Sequence, residues 1–166
     1  MKPINYLSLL SFLALFAACS GEGSSEKNVA PEVSITKAML GTWETVEMEV
    51  DYLTYGGQDT SAYEIIREAD WGQIYGAKPP RTVFTPDGKL KRTHRLASGQ
   101  VADIVNGLWK IHSTDTMLFI EPNKTLFYHY ILDGESLKLR GIVDADLDGE
   151  VDDEYRSVLR LVGRTE

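Results

Sequence analysis

Near its C-terminus the chain reads DADLDGEVDDEY, Asp144 to Tyr155, with seven carboxylates in eleven residues, Asp144 to Glu154, and no base among them. Acids on alternate positions ahead of a glycine suit a loop that wraps a hard cation. The carboxylates supply oxygen ligands, and the glycine permits the sharp turn. Counting Asp144 as position one puts Asp146 at three, Asp148 at five, Gly149 at six, the Glu150 carbonyl at seven and Asp152 at nine. The twelfth position of a calcium loop carries a bidentate Glu; here it is Tyr155, preceded by Asp153 and Glu154. Asp144, Asp146, Asp148, Glu150, Asp152 and Glu154 are therefore the candidate ligands of a weak Ca2+ site, with affinity on the order of 0.1–1 mM. The competing reading is a solvated acidic hairpin that aids solubility. The flanks, LKLRGIV and YRSVLRLVG, alternate apolar with polar residues, so the loop joins two strands and not the two helices of an EF-hand.

Other chemistry is sparse. His94, His112 and His129 fall on three separate expected strands whose parity does not bring them together, so they do not read as a zinc site. The chain has no GxSxG, no HExxH and no phosphate loop. Asn123-Lys124-Thr125 matches a glycosylation sequon but reads more simply as a turn.

The chain opens with Lys2, a short run rich in Leu, Phe and Ala, and then Phe16-Ala17-Ala18-Cys19. That is the layout of a secretory signal, too short to span a bilayer as a permanent helix. The small pair before the single cysteine resembles a bacterial lipobox, with Phe16 in the place of the commoner Leu. The resemblance implies cleavage after residue 18 and acylation of Cys19, palmitate among the acyl chains. It also implies anchorage in the cell envelope, at the outer membrane. One cysteine allows no intrachain disulfide. Residues 19–34 then read as the lipidated cysteine and a flexible tether, and 35–166 as one domain. The net charge of −8 argues against a nucleic-acid partner.

Within the domain the period is mostly two. Eight strands are expected, at about 40–52, 81–85, 89–96, 105–112, 116–121, 125–132, 136–143 and 154–163. Short turns such as Thr85-Pro86-Asp87-Gly88 and Asp133-Gly134-Glu135 join antiparallel neighbours. An eight-stranded meander would leave two long edges unless it closed. The fold class is thus all-β, an eight-stranded antiparallel up-and-down barrel. In TLFYHYIL both faces are apolar, as for a strand covered on two sides. One helical insertion is expected between strands 1 and 2. Ala62, Ile65, Ile66 and Ala69 fall at helical spacing, Ser61 and Glu64 form a capping box, and Pro79-Pro80 ends the excursion.

Gly41-Thr42-Trp43 opening the first strand, a long first loop, an eight-strand meander, Gly107-Leu108-Trp109, and an ending in Arg160 and Arg164 together resemble the lipocalins. The pattern is closer still to the lipocalin-like domains of bacterial envelope lipoproteins, over residues 37–164. The resemblance implies that Trp43 closes the base of the barrel and that Arg160 or Arg164 lies across it in a cation–π contact, worth about 0.5–2 kcal/mol. Strict alternation puts Trp43 on the face of Glu47 and Glu49. A bulge near Thr45, or a place at the strand's very end, would resolve this. A small apolar or amphipathic ligand is the implied cargo, with Val46, Met48, Trp109 and Phe127 as cavity candidates. The alternative is a non-enzymatic structural or protein-interaction module whose aromatic residues fill the barrel; an enzyme is a third reading.

Overall fold

The computed structural model describes residues 30–164. The signal segment, Cys19 and the tether up to residue 29 lie outside the described residues. The chain starts with helix α1 (Ala30–Met39), enters β1 (Gly41–Tyr52), and continues through β2 (Ala62–Arg67), a single helical turn α2 (Trp71–Ile74), and β3 (Ala77–Phe84). There follow β4 (Lys89–Leu96), β5 (Val101–Ile111), β6 (Thr116–Glu121), β7 (Lys124–Asp133), β8 (Ser136–Val143) and β9 (Asp153–Gly163). From β3 to β9 every strand pairs antiparallel with the next, β3 returns to β1, and β9 pairs with β1. Eight strands thus close into an antiparallel barrel, and β2 is a ninth outside the ring.

The stretch expected as a helix is this ninth strand. β3 pairs with β1 only over Gly41–Glu44, which leaves the same edge of β1 bare from Glu47 onward. β2 fills that edge, from Glu47 opposite Arg67 to Tyr52 opposite Ala62. Unpaired backbone groups on a half-covered edge outweigh a weak capping box, and the β-branched Ile65 and Ile66 suit a strand. Helix is confined to the single turn of α2. Pro79 and Pro80 do not end the excursion; they lie inside β3. The β3–β4 register shifts between Lys78 and Arg81, where the prolines offer no N–H to the ladder.

The parity problem in β1 is solved by a bulge. Thr45 faces Leu159 and Glu47 faces Val158, so Val46 has no opposite number. Before the bulge Trp43 and Thr45 point inward beside Leu161 and Leu159. After it Met48 and Val50 point inward beside Ser157 and Tyr155, and Glu47 and Glu49 point out. Gly41 has φ +138°, and a Cβ there would collide with the Gly163 carbonyl oxygen of β9.

Trp43 is fully buried at the end of the barrel where α1 packs, and its indole N–H donates to the Met39 carbonyl at 2.8 Å. Arg164 Nη1 donates to the Ala38 carbonyl at 2.6 Å. Both groups cap α1, whose last carbonyls lack partners within the helix. The expected cation–π contact is replaced by this arrangement. Arg160 faces outward, 3.3 Å from Glu44 and 2.7 Å from Glu68. Among the described residues, the cation that does sit over a ring is Arg92, 5.6 Å from the centre of Phe119.

The interior is filled by rings. Phe84 meets Trp109 at 5.3 Å and Phe119 at 5.6 Å; Phe119 meets Tyr128 at 5.0 Å, and Tyr128 meets Tyr155 at 5.9 Å. Room for the Tyr128 ring depends on Gly141, where a Cβ would lie 2.6 Å from the Phe127 carbonyl oxygen and 2.8 Å from the ring itself. Gly141→Ala should therefore destabilise the fold by about 1–3 kcal/mol in denaturant unfolding. Gly163→Ala, which meets nothing within 4 Å, should leave the midpoint within about 0.5 kcal/mol of the parent.

Candidate functional site

The acidic segment links β8 to β9 at the end of the barrel opposite α1, and it divides its carboxylates among three tasks. Asp148 and Asp152 turn toward the loop that follows β1. Asp148 Oδ2 accepts the Gly57 N–H at 3.1 Å and the Thr54 hydroxyl at 3.3 Å, and Asp152 Oδ2 accepts the same hydroxyl at 3.2 Å. Asp148 Oδ1 accepts the Glu150 N–H at 2.9 Å. That backbone bond, helped by Gly57 and Thr54, holds the Asp148 carboxyl below the usual carboxylate range. Asp146 reaches the same loop, accepting the Gly56 N–H at 2.5 Å and, within its own turn, the Asp148 N–H at 3.2 Å. Leu147, between them, is held in the left-handed region at φ +63°, an uncommon conformation for a residue with a γ-branch.

Glu154 belongs to an ion-pair network on the outside of the β1–β9 seam. It lies 2.6 Å from Arg140 and 2.9 Å from Arg156, and Arg156 continues to Glu49 at 2.6 Å and Asp51 at 3.1 Å. Glu150 is exposed at the tip. Of the six expected ligands, the structure gathers only Asp144 and Asp146, and it adds Asp153. One carboxylate oxygen from each of these three lies within 4.8 Å of the others. Asp153 is fully buried; its Oδ2 accepts the Ala145 N–H at 2.7 Å, and its Oδ1 has no partner. Asp144 Oδ1 is also buried without a partner. Burial, and the charges of Asp146 and Asp152, push the Asp153 carboxyl up. Position counting offers Asp153 only as a substitute for the twelfth ligand, alongside Glu154; here β9 begins at Asp153, which is buried, while Glu154 joins the ion pairs outside.

The four cavity candidates do not line one chamber. Val46 is the bulge residue, Met48 is half-buried inside, and Trp109 is buried at the base, its indole N–H donating to the Thr85 carbonyl at 3.2 Å. Phe127 is on the outside, 57% exposed. The expectation that β7 is covered on both faces is corrected here. Leu126, Tyr128 and Tyr130 point inward, while Phe127, His129 and Ile131 point out among exposed neighbours. With Ile142, Leu147 and Val151 they line an open groove of about 1270 Å³ that runs over β7 and β8 to the acidic segment. Lys138 and Arg140 stand beside the apolar side chains. The three histidines stay apart: His94 on β4, His112 just after β5, and His129 beside Asp115 at 3.5 Å.

A second cluster sits where β2 meets β1. Glu64 accepts the Tyr52 hydroxyl at 3.1 Å on one oxygen and the Tyr75 hydroxyl on the other. Burial and the Glu64 carboxylate push Tyr75 up to about 12 and Tyr52 up further. The sequence pattern gives Tyr52 and Tyr75 no role and Glu64 only that of a helix cap. No family model matches the chain, and no curated protein matches it.

Two outcomes follow from this geometry. The folded state holds the Tyr75 proton up to about pH 12, whereas an unfolded chain releases it near pH ~10. The stabilisation is complete below the lower value and is lost as pH rises through the upper one. The phenolate-absorbance titration of Tyr75→Phe should lack the step near pH ~12 that the parent shows and keep the earlier ones. Thr54→Ala removes the hydroxyl shared by Asp148 and Asp152. It should speed amide exchange at Gly56 and Gly57 by about tenfold and leave the barrel strands unchanged.

Proposed function

We propose that the chain is a non-enzymatic interaction module of the bacterial envelope, tethered to the outer membrane through an acylated Cys19, which meets its partner with the outer face of β7 and β8. The observation that carries this reading is an inversion of the usual use of a small barrel. The interior is occupied by the Trp109, Phe84, Phe119, Tyr128 and Tyr155 rings, while Phe127 and Ile131 stand in solvent at 57% and 65% exposure. A carrier of an apolar ligand needs its apolar lining inside. Contiguous apolar side chains on an outer face, bordered by Lys124 and Lys138, instead suit a protein partner with apolar and acidic groups. The lipocalin resemblance fits this role as architecture, since one barrel supports many functions.

A photo-crosslinking side chain at Phe127 or Ile142 in cells should capture a protein partner, and one at Lys110 should not. Phe127→Ser with Ile131→Ser should weaken that capture by at least about tenfold, the loss expected from two apolar anchors. The carrier reading prevails instead if an apolar dye binds the purified chain saturably, is displaced by extracted lipids, survives the double substitution and alters Trp109 fluorescence.

A further inference from the structure

From the placement of three carboxylates we infer a calcium site formed by Asp144, Asp146 and Asp153 at the junction of β8 and β9, which keeps only two of the loop positions that spacing alone nominates. The chemistry of the donor set is all oxygen and all anionic, which selects a hard divalent cation over zinc or copper. One oxygen from each lies within 4.8 Å of the other two, close enough to share one ion. Calcium takes several carboxylate ligands at once, whereas magnesium keeps most of its waters and is usually held by one or two carboxylates.

The independent sign of a ligand is Asp153. Its side chain has no solvent exposure, yet Oδ1 has neither a donor nor a counter-charge. An unpartnered buried carboxylate oxygen is costly, and two like charges stand beside it. The arginines on the two flanking strands, Arg140 of β8 and Arg156 of β9, are themselves engaged by Glu154, Glu49 and Asp51. Asp144 contributes a second buried, unpartnered oxygen to the same cluster. Asp153 Oδ2 is already held by the Ala145 N–H, so the side chain is oriented before any cation arrives. Asp148 and Asp152 lie outside this cluster and, through the Thr54 and Gly57 donors, latch the neighbouring loop; Asp146 joins the two, since its oxygens accept from Gly56 and Asp148 while it stands beside Asp144 and Asp153.

Calcium would tie the start of the turn, at Asp144 and Asp146, to the first residue of β9, the strand that closes the barrel. The ligand count is low, with the remaining positions left to water and carbonyl oxygens, so affinity falls in the weak range of about 0.1–1 mM.

The test is a calcium titration of the full chain in mild detergent, by calorimetry and by thermal melting, with magnesium as the control ion. One saturable calcium event and a calcium-dependent rise in melting temperature are expected. Asp153→Asn keeps the acceptor for Ala145 and should weaken calcium binding by at least about tenfold, and Asp144→Asn likewise, since each removes one of three charged ligands. Asp152→Asn should leave affinity within about twofold, because the cation does not use it. If Asp153→Asn does not fold in chelator, Asp144→Asn decides alone. The assignment is overturned if calcium does not bind, if folded Asp153→Asn or Asp144→Asn binds like the parent, or if Asp152→Asn loses as much as they do.

Discussion

The structure depends on how β1 divides its two edges. One edge must run against β9 along nearly its whole length for the barrel to close. The other is shared, first with β3 and then with β2. A single extra residue at Val46 makes this possible. The bulge increases the local twist and exchanges the inward and outward sets, so Trp43 can be buried at one end while Glu47 and Glu49 face water at the other. Without it, either the indole or a row of carboxylates would be on the wrong side. The outward acids then meet Arg156, Arg160 and Arg67, which lace the seam from outside. Single exposed pairs of this kind contribute little, but a connected network on the closing seam favours one register over its neighbours.

The two ends of the barrel are finished by different means. At one, α1 is fastened by the Trp43 indole and the Arg164 guanidinium, both donating to its last carbonyls. At the other, the loop after β1 lies against the acidic turn and supplies it with N–H and hydroxyl donors. The carboxylates there are tolerated because most have a donor or an arginine. Like-charge repulsion is concentrated where partners run out, at the unpartnered oxygens of Asp144 and Asp153 beside Asp146.

What could be read in the sequence followed from local rules. Period-two alternation located the eight barrel strands, and the Pro-Asp-Gly and Asp-Gly turns set their antiparallel order, because both signals depend on neighbours a few residues away. β2 was illegible for the opposite reason: its state is set by an edge of β1 that β3 leaves bare, a non-local fact. The direction of Phe127 was equally hidden, since a strand apolar on both faces does not say which face is inside. The bulge was legible only as a contradiction, Trp43 falling on the acidic face, and its place between Thr45 and Glu47 is where that contradiction pointed. In the acidic turn, spacing identified the region. The division of labour within it depended on which carboxylates found donors on a loop about ninety residues earlier.

The packed interior and the exposed apolar strand are linked physically. A ring of eight strands encloses room for its own side chains or for one small ligand, and here Trp109, Phe84, Phe119 and Tyr128 occupy it. Tyr128 fits because Gly141 across from it on β8 gives up its side chain. The alternation of β7 then fixes the consequence. Each residue that points in at Leu126, Tyr128 and Tyr130 puts its neighbour outside, at Phe127, His129 and Ile131. Solubility alone would favour polar residues at those outer positions, as Lys138 and Arg140 show on the adjacent strand. Packing inside does not require Phe127 or Ile131 to be apolar. Their apolarity is a choice the fold leaves free, and so the outer face, more than the filled interior, is where a partner would have its say in the sequence.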